Sequence, residues 1–305
     1  TSVEHPLLGA SVSIADADTV LLTGWVSVEQ YPWLADHVVL GEVLLPGTAF
    51  VELALRAGEQ VGCAHVEELT LEAPMVLPER GGVQLQVVVG AGEESGRRSI
   101  GVFSRAGGGE DVSWVRHASG VIAVSGGGRV ESFDFGQWPP ADAVAVAAQG
   151  FYEDFAAAGY GYGPGFQGLR AAWTRGDEVF AEVVLPEQSR SGTEGFGIHP
   201  ALLDAALHAV GIGVESGGQG SARLPFSWSG VSLHAVGATA VRVRLVRRGD
   251  DEISVEVADP GGNLVAVVQS LALRAISVEQ LRASAGGFDD SLFGIEWTEL
   301  GTVTG

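Results

Sequence analysis

Two stretches of the chain are apolar at almost every position, and each begins at a proline. The first follows Pro46, and its polar positions Glu52, Arg56 and Glu59 are four and three residues apart. Residues at this spacing lie on one narrow stripe of a helix. We therefore expect a buried helix at about 46–58, begun by the proline, with Glu52 and Arg56 paired along its one solvated edge.

The second apolar stretch begins at Pro200 and ends at a Gly-Ile-Gly sequence, which predicts a helix near 200–210. Each predicted helix is followed by four strand-like runs separated by turn-forming residues. When Pro46 is set against Pro200, the two halves have the same order of elements, which indicates a duplication. In this alignment Asp204 takes the place of Phe50, so a carboxylate replaces an aromatic ring.

A central helix followed by consecutive strands predicts an antiparallel sheet curled around that helix, and hence an α+β fold. Residues 125–147 combine a glycine run, a proline pair and scattered acids, which is a composition typical of linkers. We place an N-terminal half at 1–130, an internal linker at 131–147, a C-terminal half at 148–285 and a second linker, toward a following domain, at 286–305.

Composition narrows the possible partners and locations. The 305 residues include 38 acidic and 17 basic side chains, all of the latter arginine, for a net charge of −21. Such a field repels nucleic acid. Cys63 is the single cysteine, so neither an internal disulfide nor a cysteine-based metal cluster can form. We expect a cytoplasmic protein without membrane insertion, because no apolar run approaches the roughly 18 residues that span a bilayer.

A lone histidine lies just ahead of the first predicted helix. His37, Gly41 and Pro46 form the pattern H-x-x-x-G-x-x-x-x-P. An isolated histidine is more often a core residue bonded to a backbone carbonyl, and that alternative applies to His37 when it is considered by itself. Its fixed spacing to a glycine and a proline favours a functional loop.

Asp204 and His208 lie on one face of the second predicted helix, because they are four residues apart. They could be a hydrogen-bonded pair that faces solvent. However, the neighbouring positions are alanine and leucine, and a carboxylate buried there is costly unless it is protonated or paired. We therefore expect burial to raise the pKa of Asp204, as a general acid requires.

Two further motifs follow the pattern of a known family. Residues 159–166, GYGYGPGF, fit G-Y-x-Y-G-P-x-F, and residues 224–228 are LPFSW. Separately, they could be a glycine-rich turn and the start of a strand. Together with the His37 motif and HPALLDAALH at 199–208, they match in order the motifs of dehydratase domains. The chain resembles the dehydratase domains of modular type I polyketide synthases.

This resemblance implies a double hotdog fold, with two antiparallel sheets that are each wrapped around a central apolar helix. It implies that His37 and Asp204 are the catalytic pair. The expected substrate-binding or loop-shaping residues are Gly41, Pro46, Gly47, Tyr162, Pro164, Phe166, His208 and Phe226. Among these, Tyr162 belongs to the pocket and His208 hydrogen-bonds the acid.

The implied substrate is a β-hydroxyacyl thioester on the phosphopantetheine arm of an acyl carrier domain, and the implied product is the α,β-enoyl thioester. Neutral His37 would take the C2 proton, and Asp204 would protonate the departing C3 hydroxyl. A single-base version, in which Asp204 only orients the hydroxyl, fits the sequence equally well. We also expect amides near Gly47, at the positive end of the helix, to stabilise the thioester oxygen.

No cofactor of its own and no metal are expected, since no two of the seven histidines form an H-x-x-x-H or H-E-x-x-H pair. The expected partners are the acyl carrier domain, neighbouring synthase domains and a second copy in a homodimer. Three alternatives stay open: a related enoyl isomerase, a pyran-forming cyclase, and an inactive structural domain of the synthase.

Overall fold

The computed structural model describes residues 2–107, 113–124, 132–147, 150–190, 193–212, 222–249 and 251–285. The first half contains, in chain order, β1 Ser2–His5, β2 Leu8–Ser13, β3 Val20–Val26, β4 His37–Val39, β5 Glu42–Val43, α1 Gly47–Glu59, β6 His65–Leu71, β7 Val83–Gly92, β8 Arg98–Ala106 and β9 Val115–Ala123. The second half contains β10 Val144–Val146, α2 Phe151–Ala157, β11 Tyr160–Tyr162, β12 Leu169–Arg175, β13 Glu178–Val184, α3 Pro200–His208, β14 Ala222–Leu233, β15 Ala240–Arg247, β16 Glu252–Ala258, β17 Leu264–Ile276 and α4 Val278–Ala285.

The large sheet repeats one topology twice. Its 14 strands run in the order β1-β2-β3-β7-β8-β9-β6-β14-β17-β16-β15-β13-β12-β10. In each half, the strand at the centre of the sheet is the one that follows the central helix, β6 or β14. Outward from it lie the last three strands of that half, and then the first three strands that the half contributes to this sheet. This repeated order confirms the predicted duplication and the double hotdog fold. The two predicted sheets are joined edge to edge, because β6 pairs with β14 from His65 opposite Ser232 to Thr70 opposite Ser227.

The two central helices lie against each other inside this sheet. Thr48, in the first turn of α1, donates a hydrogen bond to the carbonyl oxygen of Pro200 at the start of α3, at 3.0 Å. The helix predicted at 46–58 spans 47–59, and Pro46 is its N-cap. The helix predicted at 200–210 ends at 208 and is followed by a 3-10 turn. No helix within the described ranges is long and apolar enough to cross a membrane.

The predicted pairing of Glu52 with Arg56 is wrong. Glu52 is buried, and its carboxylate accepts hydrogen bonds from the backbone amides of Gly197 and Ile198, at 2.7 and 3.0 Å. Arg56 instead bonds Glu59, at 2.8 Å. The chain segment that leads into α3 covers the stripe at Glu52, whereas Glu59 at its other end is exposed as expected. The buried charge of Glu52 is satisfied by fixed backbone donors.

The described part of the segment predicted as the internal linker packs against the second half. Within it, β10 pairs with β12, and Phe135 is fully buried. Trp138 donates its indole N–H to Glu182, at 3.0 Å. Glycine and proline therefore mark turns here, and the aromatic side chains between them bind this segment to the sheet. The second predicted linker, 286–305, lies outside the described residues.

Candidate active site

A cavity of about 870 Å³ is lined by side chains from both halves of the chain. Six of the predicted site residues line it: His37, Gly47, Tyr162, Asp204, His208 and Phe226. They come from β4, the start of α1, β11, α3 and β14, so the fold gathers residues that are up to about 190 positions apart in sequence.

His37 is buried at the start of β4, and the two nitrogens of its ring have different surroundings. Nδ1 lies 2.9 Å from the carbonyl oxygen of Leu44, which can only accept a hydrogen bond. In the neutral ring the proton is therefore on Nδ1, and Nε2 carries the lone pair. Nε2 lies 3.8 Å from Oδ2 of Asp204, and both residues line the cavity. This tautomer makes Nε2 a proton acceptor at the site.

The loop after His37 explains the glycine and proline of its motif. Leu40 and Gly41 form the two-residue connection between β4 and β5, and both have positive φ, 51° and 89°. Glycine adopts this conformation without steric cost, as tight hairpin turns require. Pro46 then caps α1, and Gly47 begins it. A Cβ at Gly47 would lie 3.1 Å from the side chain of Pro225, so the lack of a side chain lets β14 approach the helix start.

Asp204 and His208 form the expected pair, but they are buried and do not face solvent. Nε2 of His208 donates to Oδ2 of Asp204, at 3.0 Å. The ring of His208 stacks on that of Tyr162, with centroids 4.1 Å apart. One carboxylate oxygen of Asp204 thus lies near two imidazoles, one from each half of the chain.

Burial and these contacts shift the pKa values in the site. Desolvation lowers the pKa of His37, although the nearby Asp204 charge opposes this shift. The prediction that the pKa of Asp204 is raised is wrong. Desolvation does raise it, but the hydrogen bond from His208 and positive charge on the imidazoles of His37 and His208 together outweigh desolvation and lower it. At neutral pH the site therefore holds a neutral His37 and an ionised Asp204.

The glycine-rich motif places Tyr162 opposite His37 in the pairing of β11 with β4. Burial raises the pKa of Tyr162 well above 10, so its hydroxyl keeps the proton. Phe166 is fully buried and does not line the cavity; its ring packs behind His37, with centroids 5.0 Å apart. Pro164 is exposed and lies outside the cavity lining. Gly41 and Pro46 are likewise outside it.

Sequence reasoning missed Asp36, which holds the glycine-rich loop against the His37 strand. Its side chain accepts from the amide of Gly165 at 2.7 Å, and its carbonyl accepts from the amide of Gly163 at 2.8 Å. A Cβ at Gly163 would lie 2.3 Å from the Asp36 carboxylate. The signal was present in the sequence, as an acid directly beside the histidine and alternating glycines in the motif that it binds.

Two protein-family models match this chain, one in each half. The family model described as polyketide synthase dehydratase domain matches residues 5–105. A second, described as polyketide synthase dehydratase N-terminal domain, matches residues 131–283. The chain belongs to the dehydratase domains of modular type I polyketide synthases. Polyketide synthase GfsA of Streptomyces halstedii is 57% identical over 98% of this chain. The chain spans only 4 to 8% of the length of the first curated relatives.

Solved structures of family members have the same fold. A dehydratase from the study of substrate selection in the borrelidin and fluvirucin synthases is 50% identical, with a TM-score of 0.83 over 90% of this chain and 96% of that one. The bifunctional dehydratase-cyclase domain of ambruticin biosynthesis is 43% identical, with a TM-score of 0.82 over 90% of this chain and 98% of that one.

Proposed function

We propose that this domain removes water from a β-hydroxyacyl thioester carried on an acyl carrier domain, giving the α,β-enoyl thioester. The observation that carries the proposal is the position of His37 Nε2, unprotonated and 3.8 Å from Asp204 Oδ2 at a cavity large enough for an acyl chain. A base and a hydrogen-bonding carboxylate at this separation suit a substrate whose reacting groups are on adjacent carbons.

His37 breaks the C2–H bond by accepting the proton at Nε2. The electron pair forms the C2–C3 double bond, and the C3–O bond breaks. The lowered pKa of Asp204 favours the single-base version, in which the imidazolium of His37 returns the proton to the departing hydroxide and water is released. Asp204 orients the hydroxyl and, as a carboxylate, stabilises the positive charge that His37 acquires.

Two neighbouring groups support this chemistry. Gly47 lines the cavity at the N-terminus of α1, where the helix dipole and free amides favour the negative charge that develops on the thioester oxygen. The Tyr162 hydroxyl, protonated at all working pH values, is a further donor beside His37.

Arg274 is the arginine we propose for docking the carrier domain. It is exposed, lines the cavity and lies over the ring of Phe226, at 3.4 Å from the centroid. A cation at this position can meet the phosphate of a phosphopantetheine arm or an acidic carrier surface. Three other arginines are already bound within the domain: Arg97 to Glu67, Arg98 to Asp18, and Arg247 to the carbonyl oxygens of Val210 and Ile212.

We further propose that the domain works beside other synthase domains and as a homodimer. Sedimentation of the isolated domain tests the second point, because a dimer has twice the 31.5 kDa mass of the chain.

A pyran-forming cyclase is the second candidate, favoured by the 43% identity to the dehydratase-cyclase domain of ambruticin biosynthesis. Cyclisation needs a distal hydroxyl that adds to the enoyl product, so the two functions differ in the substrate that they consume.

The test is incubation of the domain with both C3 epimers of a carrier-bound β-hydroxyacyl substrate, with and without a distal hydroxyl, followed by mass analysis and by NMR of the released products, which distinguishes isomers of equal mass. Loss of 18 mass units (one water) from one epimer, absent with His37→Ala, is the expected result. Ring formation without further mass change would identify a cyclase, and double-bond migration an isomerase. No change in any substrate would indicate an inactive structural domain.

A further inference from the structure

Tyr152 takes no part in the proposed proton transfers, yet its hydroxyl contacts His208, the hydrogen-bond partner of Asp204. It lies on α2, its oxygen accepts the amide proton of Leu169 at 3.1 Å, and it is 3.4 Å from Nδ1 of His208. His208 in turn donates from Nε2 to Asp204. A continuous chain of hydrogen bonds therefore runs from a backbone amide of β12 to the carboxylate.

The direction of this chain follows from counting protons. A phenol has one proton to donate, and the Leu169 amide can only donate to its oxygen. The phenol proton is thus available to Nδ1 of His208, which accepts it as an unprotonated nitrogen. Burial raises the pKa of Tyr152 to about 12, so this proton is present throughout the neutral range. His208 then carries its own proton on Nε2, where it faces Asp204.

The opposite tautomer would lose the bond to Asp204, because the Nε2 lone pair would face the ionised carboxylate. Its Nδ1–H could still donate to the Tyr152 hydroxyl, which accepts as well as donates. The ring cannot exchange its nitrogens by a simple flip, because it is stacked on Tyr162 at 4.1 Å between centroids and also contacts the ring of Phe155 at 5.6 Å. With the ring fixed in this way, the Asp204 carboxylate requires the Nε2–H tautomer, and the Tyr152 hydroxyl stabilises it by donating to Nδ1.

We infer that Tyr152 is a positioning residue: its hydroxyl donates to Nδ1 of His208 and so stabilises the Nε2–H tautomer, which in turn holds the Asp204 carboxylate in its catalytic orientation. The consequence for catalysis rests on the proposed dehydratase function. The consequence for His208 does not, since the tautomer is a property of the free protein.

The kinetic test compares Tyr152→Phe in two backgrounds. The phenylalanine keeps the ring packing, and loss of one hydrogen bond to the pair should lower kcat roughly tenfold. In a His208→Gln background the donor is an amide that has no tautomers, so the same change should alter kcat by no more than about twofold. Tyr31→Phe is the matched control, because its hydroxyl bonds the Pro6 carbonyl away from the cavity and its loss should leave kcat unchanged. An equal loss from Tyr152→Phe in both backgrounds would show a merely structural role and overturn the inference.

The spectroscopic test needs no activity. Nitrogen NMR of the ¹⁵N-histidine-labelled domain, with His208 assigned by its absence in His208→Gln, should show a protonated Nε2 and an unprotonated Nδ1. Tyr152→Phe should shift the resonance of the unprotonated Nδ1, because this nitrogen loses its hydrogen-bond donor, and Tyr31→Phe should not. A wild-type His208 that is protonated on Nδ1, or an unchanged pattern in Tyr152→Phe, would refute the inference even if dehydration is confirmed. The expected pattern in a domain without dehydratase activity would instead count against the proposed function alone.

Discussion

The two central helices lie at equivalent positions of the repeated topology and carry different side chains at the same points. Phe50 and Ala54 of α1 correspond to Asp204 and His208 of α3, and both Phe50 and Asp204 line the cavity. One helix therefore contributes an apolar wall, and the other contributes a hydrogen-bonded pair that includes an ionised carboxylate. The base, His37, comes from the half that has the apolar helix. Neither half alone contains the proposed catalytic groups, so the site depends on both copies of the fold.

Each helix also buries one carboxylate, and the two differ in their donors. Glu52 of α1 accepts from two backbone amides, which cannot titrate or turn away. Asp204 of α3 accepts from an imidazole and lies at the cavity. An imidazole also lies near Glu52, with Nε2 of His5 3.5 Å from Oε1, but Glu52 does not line the cavity. A buried acid held by backbone amides away from the cavity joins structural elements, whereas one at the cavity is available to a substrate.

Removal of the group that the first half supplies should have the largest effect. His37→Ala should lower the rate of elimination by about 10³-fold, because general base catalysis is lost. Product formation from carrier-bound substrate is the measurement, and an unchanged thermal unfolding curve is the control for folding. Retention of even a tenth of the activity would exclude His37 as the base.

A smaller loss is expected when the charge on α3 is removed. Asp204→Asn keeps the volume and part of the hydrogen bonding but cannot stabilise the imidazolium of His37, so kcat should fall about 10²-fold. The corresponding position of α1 provides a control, since Phe50→Leu leaves the charges of the site unchanged and should have a far smaller effect on kcat. Near-normal turnover by Asp204→Asn would mean that this difference between the helices has no catalytic meaning.

The sequence predicted what depends on local pattern. Both helices, their starts at Pro46 and Pro200 and the duplication followed from periodicity and turn residues. The proximity of His37 to Asp204 was implied by the resemblance to dehydratase domains. Contacts between distant segments could not be predicted in the same way. The donors to Glu52 are about 145 residues away along the chain. The pattern of polar positions on the helix gave no sign of them and predicted that Glu52 faces solvent. The pKa of Asp204 was predicted wrongly because the neighbouring leucines in the sequence indicate desolvation, which raises it. The opposing effect of two imidazoles can be recognised only from the positions of His37 and His208 in the structure.

The structural role assigned to the acid on α1 predicts an effect on stability. In the native protein two backbone N–H groups donate to the Glu52 carboxylate. In Glu52→Gln one of them would face an amide N–H₂ group, which cannot accept, so the free energy of unfolding should fall by about 2 kcal/mol. Glu59→Gln, which removes only the bond to Arg56 at the surface, is the matched control and should change it by less than about 0.5 kcal/mol. Denaturant unfolding measures both, and equal effects would contradict the comparison of the two carboxylates.

The smallest expected effect concerns carrier docking at the rim of the cavity. Arg274→Glu should lower kcat/KM for carrier-bound substrate about tenfold, because like charges then meet, and should spare a small thioester substrate. Arg97→Glu, at an arginine already bound to Glu67, should change neither value. Equal losses with both substrates would place Arg274 in substrate binding rather than in docking.

The pH dependence of kcat/KM tests the central claim most directly, namely that a neutral His37 is the base and an ionised Asp204 its partner. A base acts when unprotonated, so activity should be present above the pKa of His37 and be lost as the pH falls through it. That pKa is lowered from the ordinary 6.5, so the acid limb should lie below pH 6.5. The pKa of Asp204 is lowered from 3.8, so its ionisation should produce no loss at alkaline pH, and the profile should stay flat. A bell-shaped profile whose alkaline limb disappears in Asp204→Asn would contradict the account, because Asp204 would then have to be protonated to act.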